Sequence, residues 1–232
     1  MDGENNQGRI IVIDKKILAV AVATIIVIIS AYFILNPPAK SEYIASDSPL
    51  LGSTAATIYL VEFSDYECPF CQAAEGTNQQ IISQVKQSDP SWQAPIPNVI
   101  EEYVNSGKVR LVFRQFPVHQ NKQPAYASKC AQEQGKFWEY HKLLFENYNA
   151  LTDTDLRNYA VDLGLNVTQF NECLDSKKYE ASTQKDLSDG QALGVSGTPT
   201  FFIGNDNIGY EKIVGALSFS EFKNIIDSQL TL

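Results

Sequence analysis

The chain has 232 residues, of which 44% are hydrophobic, and its formal net charge is −9. This length is enough for one domain with a core of its own. The sequence has no cluster of Lys and Arg of the kind that binds nucleic acid or anionic lipid, so nucleic acid is excluded as a partner. We interpret the acidity as a solvated surface.

The N-terminal part of the chain predicts a membrane anchor. Residues 1–16 are polar, and Ile17–Leu35 is a run of nineteen residues without a charge. About 20 such residues cross a bilayer as a helix. A cleaved signal peptide is the alternative, but its apolar region is usually about 7–15 residues long and ends in small residues. This run is longer and ends in bulky side chains, which favours an uncleaved anchor.

The charges around this run predict its orientation. Arg9, Lys15 and Lys16 precede it, and Lys40 alone follows closely. Because basic residues stay on the cytoplasmic side, we expect residues 1–16 inside the cell and the rest of the chain outside, in a compartment that permits disulfides. Residues 36–53 are rich in Pro, Ser and Ala and predict an extended linker, which leaves 54–232 as the folded domain.

The remaining elements are predicted in chain order from residue type and periodicity. Strands are predicted where β-branched and aromatic residues concentrate, at Thr57–Phe63, Lys108–Phe113, Thr200–Ile203 and Lys212–Val214. Helices are predicted at about Cys68–Lys86, Val99–Asn105, Asp153–Leu163, Val167–Leu174, Lys177–Leu193 and Phe219–Leu230. Ser88–Pro97 holds three prolines and predicts a loop, and Ser218 or Ser220 is expected to cap the last helix. This order indicates an α/β sheet with a helical insertion at about 120–193.

A pair of cysteines directly after the first strand carries the strongest chemical signal. Cys68-Pro69-Phe70-Cys71 opens a predicted helix, and Pro69 suits a first helical turn. Backbone N–H groups and the helix dipole stabilise an anion at this position and lower a thiol pKa into the range of about 3.5–7.5. We therefore assign Cys68 as the nucleophile and Cys71, one turn later, as the resolving thiol.

Two other interpretations of the pair are weaker. A zinc half-site needs two further ligands, and the two histidines of the chain, His119 and His141, are scattered. A purely structural disulfide between Cys68 and Cys71 would close almost no loop. We expect no metal and no cofactor.

The two histidines are interpreted separately. His119 is interpreted as a surface loop residue, and the alternative is a position near the active face, where it would help to hold the Cys68 thiolate. His141 is interpreted as a packed core residue.

Three segments resemble the DsbA-like family of the thioredoxin superfamily. Val61–Cys71 is similar to its active-site segment, Gln134–His141 to its helical insert and Gly194–Ile203 to its cis-proline loop. The resemblance implies a thioredoxin fold with an inserted helical domain and disulfide exchange on extracytoplasmic proteins. It also implies a cis bond between Thr198 and Pro199, in a loop that faces the cysteines and pairs with substrate backbone.

Glu62 is a further candidate for the site. It lies in an otherwise apolar strand, six residues before Cys68. A buried carboxylate there would carry the proton of Cys71, with its own pKa raised by desolvation, and the resemblance supports this role. The alternative is an acid that points to solvent from the end of a strand.

The predicted function is the oxidation of cysteine pairs in secreted or surface proteins, after which a membrane redox partner resets the dithiol. Phe70 stands where the strongest oxidants of the family have histidine, so a reductase remains open. An isomerase is less favoured, because isomerases of this superfamily carry an extra N-terminal domain and about 18 residues separate anchor and fold here. A redox-inactive binding module would not need intact Cys68, Cys71 and Pro199. We expect a monomer.

The second cysteine pair, Cys130 and Cys173, lies in the predicted insertion. An even number of cysteines in an external domain favours a structural disulfide over two unrelated thiols. It would close a loop of about 44 residues, worth roughly 4 kcal/mol in chain entropy.

Overall fold

The structure, a computed structural model, describes residues 43–45 and 47–231 and contains one five-stranded sheet. Its strands are β1 (Leu50–Leu51), β2 (Ile58–Ser64), β3 (Val109–Gln115), β4 (Thr200–Asn205) and β5 (Gly209–Val214). The strand order is β1-β3-β2-β4-β5, in which β2 and β3 are parallel and the other neighbours are antiparallel. The predicted α/β sheet is confirmed, and the short β1 was not predicted.

Helices cover both faces of the sheet and form the insertion. They are α1 (Pro69–Ala74), α2 (Gln79–Ser88), α3 (Pro95–Val99), α4 (Gln123–Gln132), α5 (Phe137–Glu146), α6 (Asp153–Asp162), α7 (Val167–Asp175), α8 (Glu180–Ala192) and α9 (Phe219–Leu230). A π-helical turn at Ile100–Val104 continues α3. Helices α4–α8 lie between β3 and β4 in the chain, which is the insertion expected at about 120–193.

The first predicted helix differs from the structure, which breaks it into α1 and α2. Gly76 has a φ of +79°, in the left-handed region that glycine adopts at little cost. Two residues later the Asn78 side chain accepts a hydrogen bond from the Ile81 N–H and caps α2. The helical spacing of apolar residues is similar before and after this break, so the sequence pattern predicted a single helix.

The proline-rich segment is also more ordered than predicted, because Pro95 begins α3. A missing N–H costs nothing at this position of a helix. Just before it, the Trp92 indole N–H donates to the Ala216 carbonyl at 3.0 Å, and the Gln93 N–H donates to the Ser218 hydroxyl at 3.2 Å. Ser218 is the N-cap of α9, one of the two residues expected there, but its hydroxyl bonds this segment and not its own helix.

The predicted linker 36–53 packs on the domain where the structure describes it. The Tyr43 ring stacks on Tyr210 with centroids 4.0 Å apart, and Asp47 forms an ion pair of 2.7 Å with Lys129. β1 then pairs with β3. The folded part of the chain therefore extends to the N-terminal side of residue 54.

The tail 1–16 and the predicted anchor Ile17–Leu35 lie outside the described residues. Within the described ranges, 43–45 and 47–231, no helix combines the length and the apolar character that crossing a bilayer requires.

Strand alternation decides which face of the sheet each residue of β2 occupies. Leu60 contributes to a core with α3 and α9, whereas Val61 and Phe63 pack toward α8. Glu62 alternates with Val61 and Phe63 and therefore faces the same side as Leu60. On that side α1 and the insertion cover the sheet.

The insertion is closed by the expected disulfide. Cys130 in α4 and Cys173 in α7 are bonded to each other. Both cysteines belong to the core cluster that the insertion shares with the first turn of α1.

Candidate active site

Cys68 and Cys71 occupy different positions at the start of α1. Cys68 is the N-cap residue, with an extended backbone, and Pro69 begins the helix. Both cysteines are free thiols. Cys68 is 6% exposed and Cys71 is fully buried, so Cys68 is the more accessible of the two.

The two thiols have opposite acidities. A hydrogen bond from the Cys71 thiol, supported by the backbone N–H groups of Phe70 and Cys71, lowers the pKa of Cys68 to about 6, against the effect of burial. Burial, followed by the same hydrogen bond, raises the pKa of Cys71 well above its usual value. Since the thiolate is the attacking species in disulfide exchange, Cys68 is the more reactive thiol of the pair near neutral pH.

A loop from the far end of the chain lies against Cys68. The Cys68 thiol donates a hydrogen bond of 3.3 Å to the carbonyl oxygen of Thr198, and the Thr198–Pro199 bond is cis. The Pro199 carbonyl accepts from the Gly215 N–H at 2.8 Å, which fixes the loop to the end of β5. The structure thus brings Thr198 and Pro199 beside Cys68, as the resemblance implies.

Glu62 is fully buried beneath the cysteines and does not point to solvent. In the sheet it lies between Phe113 and Phe201. Neither carboxylate oxygen has a hydrogen-bond partner among the residues that the structure describes. Burial, together with the nearby charge of Glu75, raises the pKa of Glu62 well above its usual value.

Glu75 is a site residue that the sequence analysis missed. Its carboxylate lies 3.1 Å from Nε2 of His141, and Nδ1 of the same ring lies 3.3 Å from the Tyr66 hydroxyl. His141 is buried, as predicted, but both of its ring nitrogens have polar partners. The signal for Glu75 was its position four residues after Cys71, one helical turn farther on.

Hydrogen bonds to the Asp65 carboxylate connect the segment before Cys68 to the loop at Val118 and His119. Asp65 accepts hydrogen bonds from the backbone N–H groups of Glu67, Val118 and His119, at 2.8–3.1 Å. The His119 ring lies 2.7 Å from the same carboxylate, and this hydrogen bond raises the pKa of His119. The His119 side chain is 45% exposed, so it is the surface loop residue expected, in a loop held next to the active-site segment.

Two apolar side chains flank this loop and the cysteines. Phe70, between the two cysteines, is 51% exposed, and Val118 is 54% exposed. Phe70 therefore presents an aromatic ring to solvent at the position where an approaching polypeptide would meet Cys68.

Comparisons with known proteins identify the fold. The family model described as Thioredoxin (Thioredoxin_4) matches residues 91–228. The chain is similar to BdbD of Bacillus subtilis in its oxidised form, at 23% identity and a TM-score of 0.63, over 80% of this chain and 94% of that one. It is also similar to a variant of alpha-DsbA1 of Wolbachia pipientis, at 25% identity and a TM-score of 0.66, over 83% and 96%. The catalytic domain of Proteus mirabilis ScsC matches at 18% identity and a TM-score of 0.61, over 83% and 94%.

Curated relatives of higher identity are much longer than this chain. One is the Na⁺/H⁺ antiporter NhaA 3 of Salinispora tropica, 35% identical over 156 residues, which are 66% of this chain and 21% of that protein. Another is the Na⁺/H⁺ antiporter NhaA of Herminiimonas arsenicoxydans, 31% identical over 171 residues, 73% of this chain and 24% of that protein. The chain spans about a fifth to a quarter of the length of these relatives.

Proposed function

The chain belongs to the DsbA-like thioredoxin family and is a thiol–disulfide oxidoreductase, and we propose that it oxidises cysteine pairs of proteins outside the cytoplasm. The observation that carries this proposal is the asymmetry of the cysteine pair. Cys68 is the more exposed thiol and has a pKa of about 6, and Cys71 is a fully buried thiol with a raised pKa. We further propose that Ile17–Leu35 anchors the domain to the membrane, near its substrates and near a membrane redox partner.

The reaction proceeds in two exchanges. A substrate thiolate attacks Cys68 Sγ of the Cys68–Cys71 disulfide, a mixed disulfide forms, and Cys71 leaves as a thiolate that takes up a proton. The second substrate thiolate then attacks the substrate sulfur of the mixed disulfide, and Cys68 leaves as a thiolate. Two electrons pass from the substrate pair to the cysteine pair. The loop at Thr198 and Pro199 is proposed to pair with the substrate backbone.

The low pKa of Cys68 favours the oxidising direction. Because folding depresses this pKa, the reduced protein gains stability relative to the disulfide form at pH values above the ordinary thiol pKa. That gain is lost as the pH falls through about 6. Stabilising the reduced form makes the disulfide a better oxidant. A Cys68 pKa of about 6 lies between those of thioredoxin, about 7, and DsbA, about 3.5.

We therefore expect the equilibrium potential of the Cys68–Cys71 couple against glutathione to lie between about −270 and −120 mV. A value inside this range, with catalysed oxidation of a reduced test protein, supports the oxidase. A value at or below the thioredoxin end, with reduction of insulin, would support the reductase. Inactivity in both assays would instead support the alternative function, a redox-inactive binding module.

Replacing Glu62 should change both stability and rate. Because folding raises the pKa of Glu62, the folded state keeps this proton to a higher pH than the unfolded chain does. The stabilisation that this bound proton provides is complete below the ordinary pKa of Glu. It is lost as the pH rises through the pKa that Glu62 has in the folded state. Glu62→Gln should thus raise the free energy of unfolding at alkaline pH by at least about 1 kcal/mol, the free energy that corresponds to a pKa raised by one unit, because it removes the buried charge that ionisation creates.

The same variant should slow the step in which Cys71 gains or loses its proton by about 100-fold, the lower end of general acid–base effects. Urea unfolding at several pH values and single-turnover exchange kinetics provide the two measurements. Glu67→Gln, in the loop before Cys68, is the control. An unchanged pH dependence of exchange in Glu62→Gln would refute the proton role.

A further inference from the structure

A cavity of about 370 Å³ lies between the sheet, α3 and α5, and neither cysteine of the redox pair lines it. Its walls are mainly apolar and come from three directions: Leu111 from β3, Ile96 and Ile100 from α3 and the π-helical turn, and Trp138 and Phe145 from α5. Sites for small organic molecules have volumes of about 300–1,000 Å³, apolar walls and a small number of polar groups. The cavity has the size and the lining of such a site.

The titratable side chains that line the cavity leave one negative charge unbalanced. Lys142 and Glu146 form an ion pair of 2.7 Å with each other, and both are largely exposed. The Glu75 side chain is 11% exposed, and its carboxylate lies 3.1 Å from Nε2 of His141. In its neutral form, which accepts from the Tyr66 hydroxyl at Nδ1, His141 donates to Glu75 without cancelling its charge. The buried part of the cavity is therefore complementary to a cation.

The Glu75 carboxylate can accept further hydrogen bonds. An ionised carboxylate offers about four acceptor positions, and among the residues that the structure describes only His141 uses one of them. The Thr77 hydroxyl also lines the cavity, but it donates to the Gln72 carbonyl at 2.9 Å. A mostly buried charge with one hydrogen bond is costly unless a further partner pairs with it. A ligand that brings N–H donors and a positive charge would supply that partner.

We propose that this cavity binds a small organic cation, an arylalkylammonium ion whose ammonium group pairs with Glu75 and whose aromatic body packs between α3 and α5. An ammonium group has three donors, and hydrogen bonds between ionised partners are about twice as strong as neutral ones. The aromatic body buries apolar surface against Trp138 and Phe145, and the face of the indole ring attracts a cation. An anion of the same shape is repelled by Glu75.

Calorimetric titration of the full chain in lipid nanodiscs tests the proposal, with empty nanodiscs as the reference. Three probes share a phenyl ring and differ in the head group: phenethylammonium, phenethyl alcohol and phenylpropionate. We expect the cation to bind at least about tenfold more tightly than the alcohol, which is the lower end of the gain from a hydrogen bond to a charged group. The anion should bind more weakly than the alcohol. Binding is measured without any thiol chemistry, so its outcome is independent of the proposed function.

Three variants place the ligand in the cavity. Glu75→Gln keeps the shape of the side chain and removes its charge, so the affinity for the cation should fall about tenfold, to that of the alcohol. Ile100→Phe fills part of the cavity from its half-buried wall and should weaken the binding of both probes. Glu139→Gln is the matched control, because Glu139 is an exposed acid of α5 that does not line the cavity. It should leave both affinities within about twofold.

Several outcomes would overturn the proposal. One is equal affinity for the cation and the alcohol in the wild-type chain, and another is a preference for the cation that survives in Glu75→Gln. Heat signals that match those of empty nanodiscs would show partition of the probes into lipid and no site in the protein. Far-ultraviolet circular dichroism checks that each variant is folded, and Glu75→Gln decides the test by itself if Ile100→Phe does not fold.

Discussion

Replacing Cys68 with serine should abolish disulfide exchange, with a loss of at least about 1,000-fold. The expected loss follows from chemistry, because a hydroxyl forms no mixed disulfide and no other described cysteine of the chain is free and accessible. Cys71→Ser should behave differently. It keeps the nucleophile at the N-cap of α1, so its Cys68 thiolate should attack the disulfide of an oxidised substrate. Because no thiol remains at position 71 to attack the resulting mixed disulfide, the variant should accumulate a covalent complex with that substrate.

Non-reducing electrophoresis and mass mapping of the trapped complex measure both variants. The double variant Cys130→Ala/Cys173→Ala is the control, because it removes two sulfur atoms elsewhere and leaves the pair at the start of α1 intact. It should keep exchange activity while it lowers stability by up to about 4 kcal/mol. Activity that survives in Cys68→Ser, or a complex trapped through Cys71 in place of Cys68, would contradict the assignment of the two thiols.

Replacing Arg114 should produce the largest loss of stability. Its side chain is fully buried and forms ion pairs of 2.8 Å with Asp186 and 2.6 Å with Asp189, and it donates to the Tyr43 carbonyl at 2.8 Å. It thereby fastens α8 and the segment before β1 to the sheet. Arg114→Met keeps the volume but leaves the Asp186 carboxylate, itself 3% exposed, without its main partner. Breaking a buried ion pair from one side costs about 3–5 kcal/mol.

Urea unfolding of Arg114→Met against Arg157→Met tests this prediction. Arg157 also pairs with two acids, Asp153 and Asp175, but at the surface, where such pairs contribute about 1 kcal/mol or less. Burial already raises the pKa of Asp186 in spite of Arg114, so the loss in Arg114→Met should be larger at alkaline than at acidic pH. Equal losses in the two variants would show that burial does not determine the strength of the Arg114 pairs.

Local sequence patterns predicted the position of the cysteine pair at the start of a helix better than its surroundings. The C-x-x-C at the end of a strand is a short motif, and the structure places Cys68 and Cys71 at the start of α1. The cysteine count predicted the Cys130–Cys173 bond. The helix α9 begins and ends at the predicted residues, because its periodicity is uninterrupted. Each of these features depends on neighbours in sequence or on a small number of possible pairings.

Features that depend on distant contacts were not predicted from such patterns. The contact between Thr198 and Cys68, 130 positions apart, was implied only by the family resemblance. The Glu75–His141 pair joins residues 66 positions apart, and in the sequence His141 is one polar residue within an apolar stripe. β1 has two residues, too few for a periodicity, and it exists because β3 offers it an edge. The composition of residues 36–53 predicts a free linker, whereas Tyr43 and Asp47 have partners more than 70 residues away.

The pH dependence of Cys68 alkylation in the reduced wild-type protein tests the central claim most directly. Mass mapping assigns the modified cysteine at each pH, so the rates of Cys68 and Cys71 are followed separately. Our account predicts that Cys68 reacts with a midpoint near pH 6 and that Cys71 stays unmodified throughout the neutral range. A Cys68 midpoint near the ordinary thiol value of about 8.5 would contradict it.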